Sequence, residues 1–188
     1  MTTAFACKQT VTQNKQAIQQ DSLKGNISVF DTADPNNSFL IDTVAILTNR
    51  NLDSLITRLE DSKLKTYKTV KEIPSFIINI LSGLTSDGFS IANQSENWQA
   101  TDAIMDDSLP NRQLSYFGLG DDIALLTYYT GGIGKSLHII IIKFQDKKIL
   151  DFWCGNVLIN LKDKKEIVKY LKENKNKNRV LNTNIIYL

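Results

Sequence analysis

Residues 113–154, QLSYFGLGDDIALLTYYTGGIGKSLHIIIIKFQDKKILDFWC, decide the fold. Four apolar, β-branched or aromatic runs fill the stretch, at residues 113–118, 123–130, 137–144 and 149–154. Short breaks separate them: Gly120-Asp121-Asp122, the glycine-rich Gly131 to Ser136, and Asp146-Lys147. Runs joined so closely pair antiparallel, because a parallel crossover needs a dozen or more residues. A meander from Gln113 to Cys154 is therefore expected. Its third run is apolar at Leu137, Ile139 and Ile141 on one face, and at Ile140, Ile142 and Phe144 on the other. Such a strand is central in a sheet covered on both sides.

Upstream, residues 26–31 (NISVFD) alternate as a strand and residues 33–38 (ADPNNS) have turn chemistry. Residues 39–48 (FLIDTVAILT) read equally as strand or helix. Asn51 is the expected N-cap of a helix whose Leu52, Leu55, Ile56 and Leu59 share one face. A second helix is predicted over residues 70–84, with Ile73, Phe76, Ile77, Ile80, Leu81 and Leu84 as its stripe. Pro74 puts its regular start near itself. Residues 89–92 make a short strand candidate, and residues 93–112 are polar and irregular around Trp98. Downstream, Asn160 is the expected cap of a last helix with Ile167, Val168 and Leu171 inward, and residues 180–188 suit a final strand. The pattern is α+β: two N-terminal helices, a mostly antiparallel sheet of about four to six strands containing the meander, and a C-terminal helix.

A chain of 188 residues is long enough to close one sizeable core. The expected division is a disordered leader or tether over residues 1–25 and a single α+β domain over 26–188. A hydrophobic content of 42% with 22% charged residues places that domain in the ordinary globular class. The net charge of +2 points to no strongly charged partner. Charge is nevertheless uneven. Residues 87–122 hold seven acidic residues and one basic; residues 162–179 hold eight basic and three acidic. The lysine-rich end could meet phosphates or an anionic surface, but nucleic acid is not the expected partner, because a recognition motif is missing and acidic residues dilute the run. Apolar runs such as residues 139–142 fall far short of the roughly 20 residues that span a bilayer.

Three constellations could carry chemistry. His138 is the single histidine, which excludes metal sites needing several imidazoles and leaves Cys154 with His138 as the one thiol–imidazole pair. Hairpin register decides whether they meet. A turn centred on Asp146-Lys147 sets Phe144 opposite Ile149, His138 opposite Gly155 and Cys154 opposite Ile139, with Cys154 and His138 on opposite faces. A three-residue turn over 145–147 would set His138 directly opposite Cys154; the even turn is the favoured reading. Second, Asp102, Asp106 and Asp107 would have to converge with Asp121 or Asp122 to do acid–base work, with Asp102 and Asp106 sharing a helix face. Third, Trp98, Tyr128 and Trp153, with Tyr116 and Tyr129, could line a ligand cleft or simply pack. Gly134-Lys135-Ser136 matches the end of a phosphate-binding loop, but Tyr129 stands where its first glycine belongs and a β-rich run follows, so a hairpin turn is expected. No cofactor and no metal are predicted.

At the other end, Ala4-Phe5-Ala6-Cys7 resembles the lipobox of bacterial lipoproteins, with small residues at the third and first positions before a cysteine. The resemblance implies cleavage before Cys7 and lipidation of its thiol. A signal peptide carries an apolar stretch of about 7–15 residues, and six residues precede Cys7, so the resemblance implies a start upstream of Met1. Residues 8–25 (KQTVTQNKQAIQQDSLKG) have the composition of a polar tether. The leading expectation is a non-enzymatic periplasmic or surface lipoprotein domain that binds a protein partner or small ligand and touches the membrane only through Cys7. The alternatives are a small hydrolase-like enzyme using the carboxylates or Cys154 with His138, and a cytoplasmic interaction module.

Overall fold

Residues 137–144 become the inside strand that their two apolar faces demand. The computed structural model describes residues 27–30, 39–85, 88–103, 106–132 and 134–177; Cys7, the leader and the expected strand over 180–188 lie outside them. A two-stranded antiparallel ladder opens the described chain, β1 (Ile27–Phe30) with β2 (Phe39–Asp42). Helices α1 (Thr43–Leu47) and α2 (Leu52–Asp61) follow. Then come strand β3 (Lys65–Tyr67), a 3₁₀ turn (Val70–Glu72) and helix α3 (Ser75–Leu84). The meander is β4 (Arg112–Leu119), β5 (Ile123–Thr130), β6 (Ser136–Gln145) and β7 (Lys148–Val157), and α4 (Lys164–Asn174) ends the described chain. The five-stranded sheet runs β3-β4-β5-β6-β7, antiparallel throughout. The fold is α+β, as the sequence pattern predicts.

Cross-strand pairs share a face, which divides the sheet's side chains into two sets. Leu126, Tyr128, His138, Ile140, Phe152 and Cys154 point to one side. There Phe76 of α3 meets Phe144 edge to face with centroids 5.2 Å apart, so this is the α3 face. Thr127, Ile139, Ile141 and Trp153 point to the other. On that side the Trp153 indole donates to Asn49, between α1 and α2, at 2.9 Å, and Asn49 in turn donates to the Lys175 carbonyl just past α4 at 3.1 Å. Three helices therefore cover the second face. Ile139, Ile140, Ile141 and Ile142 are all fully buried, and each contributes about 1.5–3 kcal/mol by leaving water.

Residues 39–48 resolve the strand-or-helix ambiguity by being both. β2 ends at Asp42, whose carboxylate accepts from Ala45 N at 2.8 Å and so opens α1. Pro74 sits as the N-cap of α3, where its missing N–H costs nothing. Asn51 precedes α2 as expected but makes no side-chain cap; its amide reaches across to Asp151 Oδ1 at 2.7 Å and the Phe152 carbonyl at 2.9 Å.

Four expectations are corrected. The β6–β7 turn is the even one, with Asp146 and Lys147 at φ 51° and 65° and Phe144 opposite Ile149. A bulge follows at once, however, and Lys143 pairs with Asp151. The extra residue, Leu150, points out to solvent, and beyond it the register moves by one. Cys154 therefore lies opposite Ile140 rather than Ile139, and His138 opposite Asn156 rather than Gly155. The last helix is capped by Asp163, not Asn160: Asp163 accepts from Glu166 N at 2.9 Å, while Asn160 accepts from the Tyr129 hydroxyl. Residues 89–92 form no strand. Only Ala92 bonds to β4, through Arg112 and Leu114, because Asn93 and Glu96 then turn the chain away. Finally, Asp102 and Asp106 share no helix, since the described residues around them are bends and turns.

Candidate functional site

The register shift brings Cys154 and His138 onto the same face after all. They are diagonal neighbours across β6 and β7, since Cys154 pairs with Ile140, two residues from His138. The Tyr128 ring stacks on the His138 imidazole at 4.9 Å between centroids. The Arg112 guanidinium lies 4.9 Å from the Phe89 ring and 6.0 Å from that of Tyr128. His138 Nε2 lies 2.9 Å from Thr130 Oγ1 and 3.3 Å from Ser136 Oγ. All four central residues are sealed: Tyr128 is 0% exposed, Cys154 2%, Arg112 5% and His138 8%.

That burial decides the chemistry. It pushes the Cys154 thiol up to about 12. It pushes the His138 imidazole down to about 4, with the Arg112 charge acting in the same direction. Burial raises the Tyr128 phenol as well. A nucleophilic cysteine needs a thiolate, stabilised by a nearby cation and reachable by substrate. Cys154 is protonated at neutral pH and out of reach, and His138 is neutral beside it. The cluster is a packed polar layer in the core.

The carboxylates are dispersed. Asp102, Asp106 and Asp107 are exposed on the loop between α3 and β4. Asp106 is engaged by the Ser108 hydroxyl and amide, which hold its carboxyl below the usual range. Asp122 forms a two-pronged pair with Arg58 on α2, at 2.7–3.0 Å, and Asp121 is exposed beside it. Among the described residues, no three His, Cys, Asp or Glu side chains are placed to hold a metal ion. No described helix is long and apolar enough to cross a membrane.

The three aromatic residues proposed as lining line no common cleft. Tyr128 and Trp153 are fully buried on opposite faces of the sheet. Trp98 is half-buried at the loop end, with Lys135 Nζ 5.9 Å from its ring and 3.5 Å from that of Tyr129. The glycine-rich segment is the β5–β6 hairpin loop. Gly131 is needed because a Cβ there would overlap the Ala100 backbone.

An open concavity lies elsewhere, on the α4 face. Between α4 and the β3–β4 end of the sheet the packing is incomplete. The resulting cleft has a volume of about 830 Å³. Its floor is Leu64, Thr66, Tyr116 and Val168; Lys164, Lys165, Lys169 and Lys172 rim it, with Glu60, Asp163 and Glu173. Gly118 makes the floor possible. A Cβ there would stand 2.6 Å from the Tyr116 hydroxyl and 3.0 Å from Leu64 Cδ1, so the Tyr116 ring lies where a side chain would be. Sequence reasoning missed this site. β3 is three residues long, too short to show a period, and the cleft joins segments some 50 residues apart. The visible parts were the lysine-rich last helix and Tyr116, one of the aromatic residues that could line a cleft. No family model matches the chain, and no curated protein or solved structure is significantly similar to it.

Proposed function

We propose that this is a binding protein, without catalytic chemistry of its own, whose ligand site is the cleft beneath α4. One observation carries the reading: a concavity of about 830 Å³ with a largely apolar floor and polar rim, within the roughly 300–1,000 Å³ range of small-molecule sites. The sealing of Cys154 and His138 supports the absence of nucleophilic catalysis. Thr66 is exposed on the edge strand and lines the cleft, so Thr66→Trp should fill it without disturbing the core. The test is titration with Nile red, an uncharged apolar dye. Saturable one-to-one binding that Thr66→Trp removes supports the reading; no binding, or binding indifferent to the substitution, ends it.

The lipobox-like Ala4-Phe5-Ala6-Cys7 supports placement in the cell envelope, with the domain tethered through a lipidated Cys7. Fractionation of the native precursor and its Cys7→Ser variant tests this half. The variant should move from the membrane to the soluble fraction; an unchanged distribution would remove the anchor from the proposal.

A further inference from the structure

The polar rim of the α4 cleft is unequal in its commitments. The Lys164 ammonium donates to the backbone carbonyls of Glu60 and Ser62, at 3.2 and 2.6 Å. Lys172 pairs with the Glu60 carboxylate at 2.9 Å. The Asp163 carboxylate is occupied in capping α4. Lys165 and Lys169 remain. They stand one helical turn apart on the same rim, both exposed, and neither is in an ion pair among the described residues. Lysine stems can lie along apolar surface while the ammonium stays in water, so these two extend the floor and end it in positive charge. Glu173 is the one acidic rim residue without such a commitment, one turn beyond Lys169 and two beyond Lys165.

We infer that the cleft takes a single-chain alkyl anion, its tail over Leu64, Tyr116 and Val168 and its carboxylate or phosphate head between Lys165 and Lys169. This rests on the α4 cleft being the ligand site. Lysine is a mobile point charge rather than a fixed fork, so both head groups satisfy the same requirement. The occupant is one dispersed monomer rather than a bilayer surface.

The experiment compares four probes below their critical micelle concentrations: laurate, dodecyl phosphate, dodecanol and dodecyltrimethylammonium. The protein is the full chain, alongside a Lys165→Glu/Lys169→Glu variant and the Thr66→Trp variant. Laurate and dodecyl phosphate should bind one to one, at least tenfold more tightly than dodecanol, and the cation should bind least. The double charge reversal should weaken laurate at least tenfold and leave dodecanol unchanged. Both lysines are exposed, so folding is not at stake, and circular dichroism checks it. If dodecanol or the cation binds as well as laurate and Thr66→Trp abolishes all three, the cleft stands and the anion inference falls. If none of the four binds while Nile red does, the cleft stands and the inference falls; if Nile red fails as well, both fall. Binding to anionic vesicles with none to monomeric laurate would also overturn the inference.

Discussion

Under α3 the sheet gathers a cysteine, a histidine, a tyrosine and an arginine, all nearly without solvent. Under α4 the same sheet leaves an open cleft that holds none of these residue types except Tyr116. The two faces are built from alternate residues of the same strands. The difference between them comes from what covers each. α3 and Phe89 close one side, with Phe76 and Phe89 set against Phe144 and Tyr128. On the other, the packing between α4 and the β3–β4 end is incomplete, and Gly118 thins the floor further. Residue type marks where chemistry is conceivable; coverage decides whether any ligand arrives.

The comparison can be broken most directly with a thiol reagent. In a Cys7→Ser chain, Cys154 should label at least about 10³-fold more slowly than in the urea-unfolded chain, because labelling waits on opening. Rapid labelling of the native protein would mean that the α3 face is not sealed. Truncation comes next. Tyr128→Ala should destabilise by about 3–5 kcal/mol, as buried aromatic deletions do. Tyr116→Ala on the open face should cost less and should change dye binding, which Tyr128→Ala should not do in the surviving folded fraction. Equal losses of stability, read from urea midpoints, would erase the distinction.

The third prediction uses pH. His138 has its imidazole lowered from 6.5 to about 4 by burial and by Arg112. Between these values the unfolded chain takes up a proton that the native chain refuses. The contribution is fully present above pH 6.5 and is lost as pH falls towards 4, by about 3 kcal/mol in all. A His138→Leu variant should show a flatter stability profile across that window; an unchanged slope would mean that other groups set it. The smallest effect belongs to the open face. Gly118→Ala pushes on Tyr116 and Leu64, so it should cost about 1–3 kcal/mol and reduce Nile red binding by shifting the cleft floor. A variant of normal affinity would show that the Tyr116 ring yields without narrowing the cleft.

How far the sequence carried can be judged strand by strand. The meander was legible because its runs have strand length and its breaks have turn chemistry; Asp146 and Lys147 do adopt the left-handed turn. Even the two-sided burial of β6 could be read from Ile139 to Ile142. The bulge could not. Leu150 is an apolar residue in an apolar run, and nothing local distinguishes it from a neighbour that points inward. β3 was invisible for its brevity, and with it the cleft. For the candidate site, residue types were readable and access was not. Whether Cys154 meets solvent depends on α3 and Phe89, more than 60 residues away in the chain.

Leu150 gives β7 a property that no substitution table would reveal. The side of the sheet to which Phe152, Trp153 and Cys154 belong is a matter of parity, set by how many residues of β7 pair between the turn and Phe152, and Leu150 is left out of that count. Draw Leu150 into the ladder and Trp153 would move opposite Ile140, against α3, while Cys154 would turn towards α1 and α2. Each side chain would be chemically unaltered and in the wrong room. The β6–β7 hairpin should therefore accept exchanges at position 150, and even its deletion, which leaves each cross-strand pair in place, yet reject any change that makes residue 150 pair.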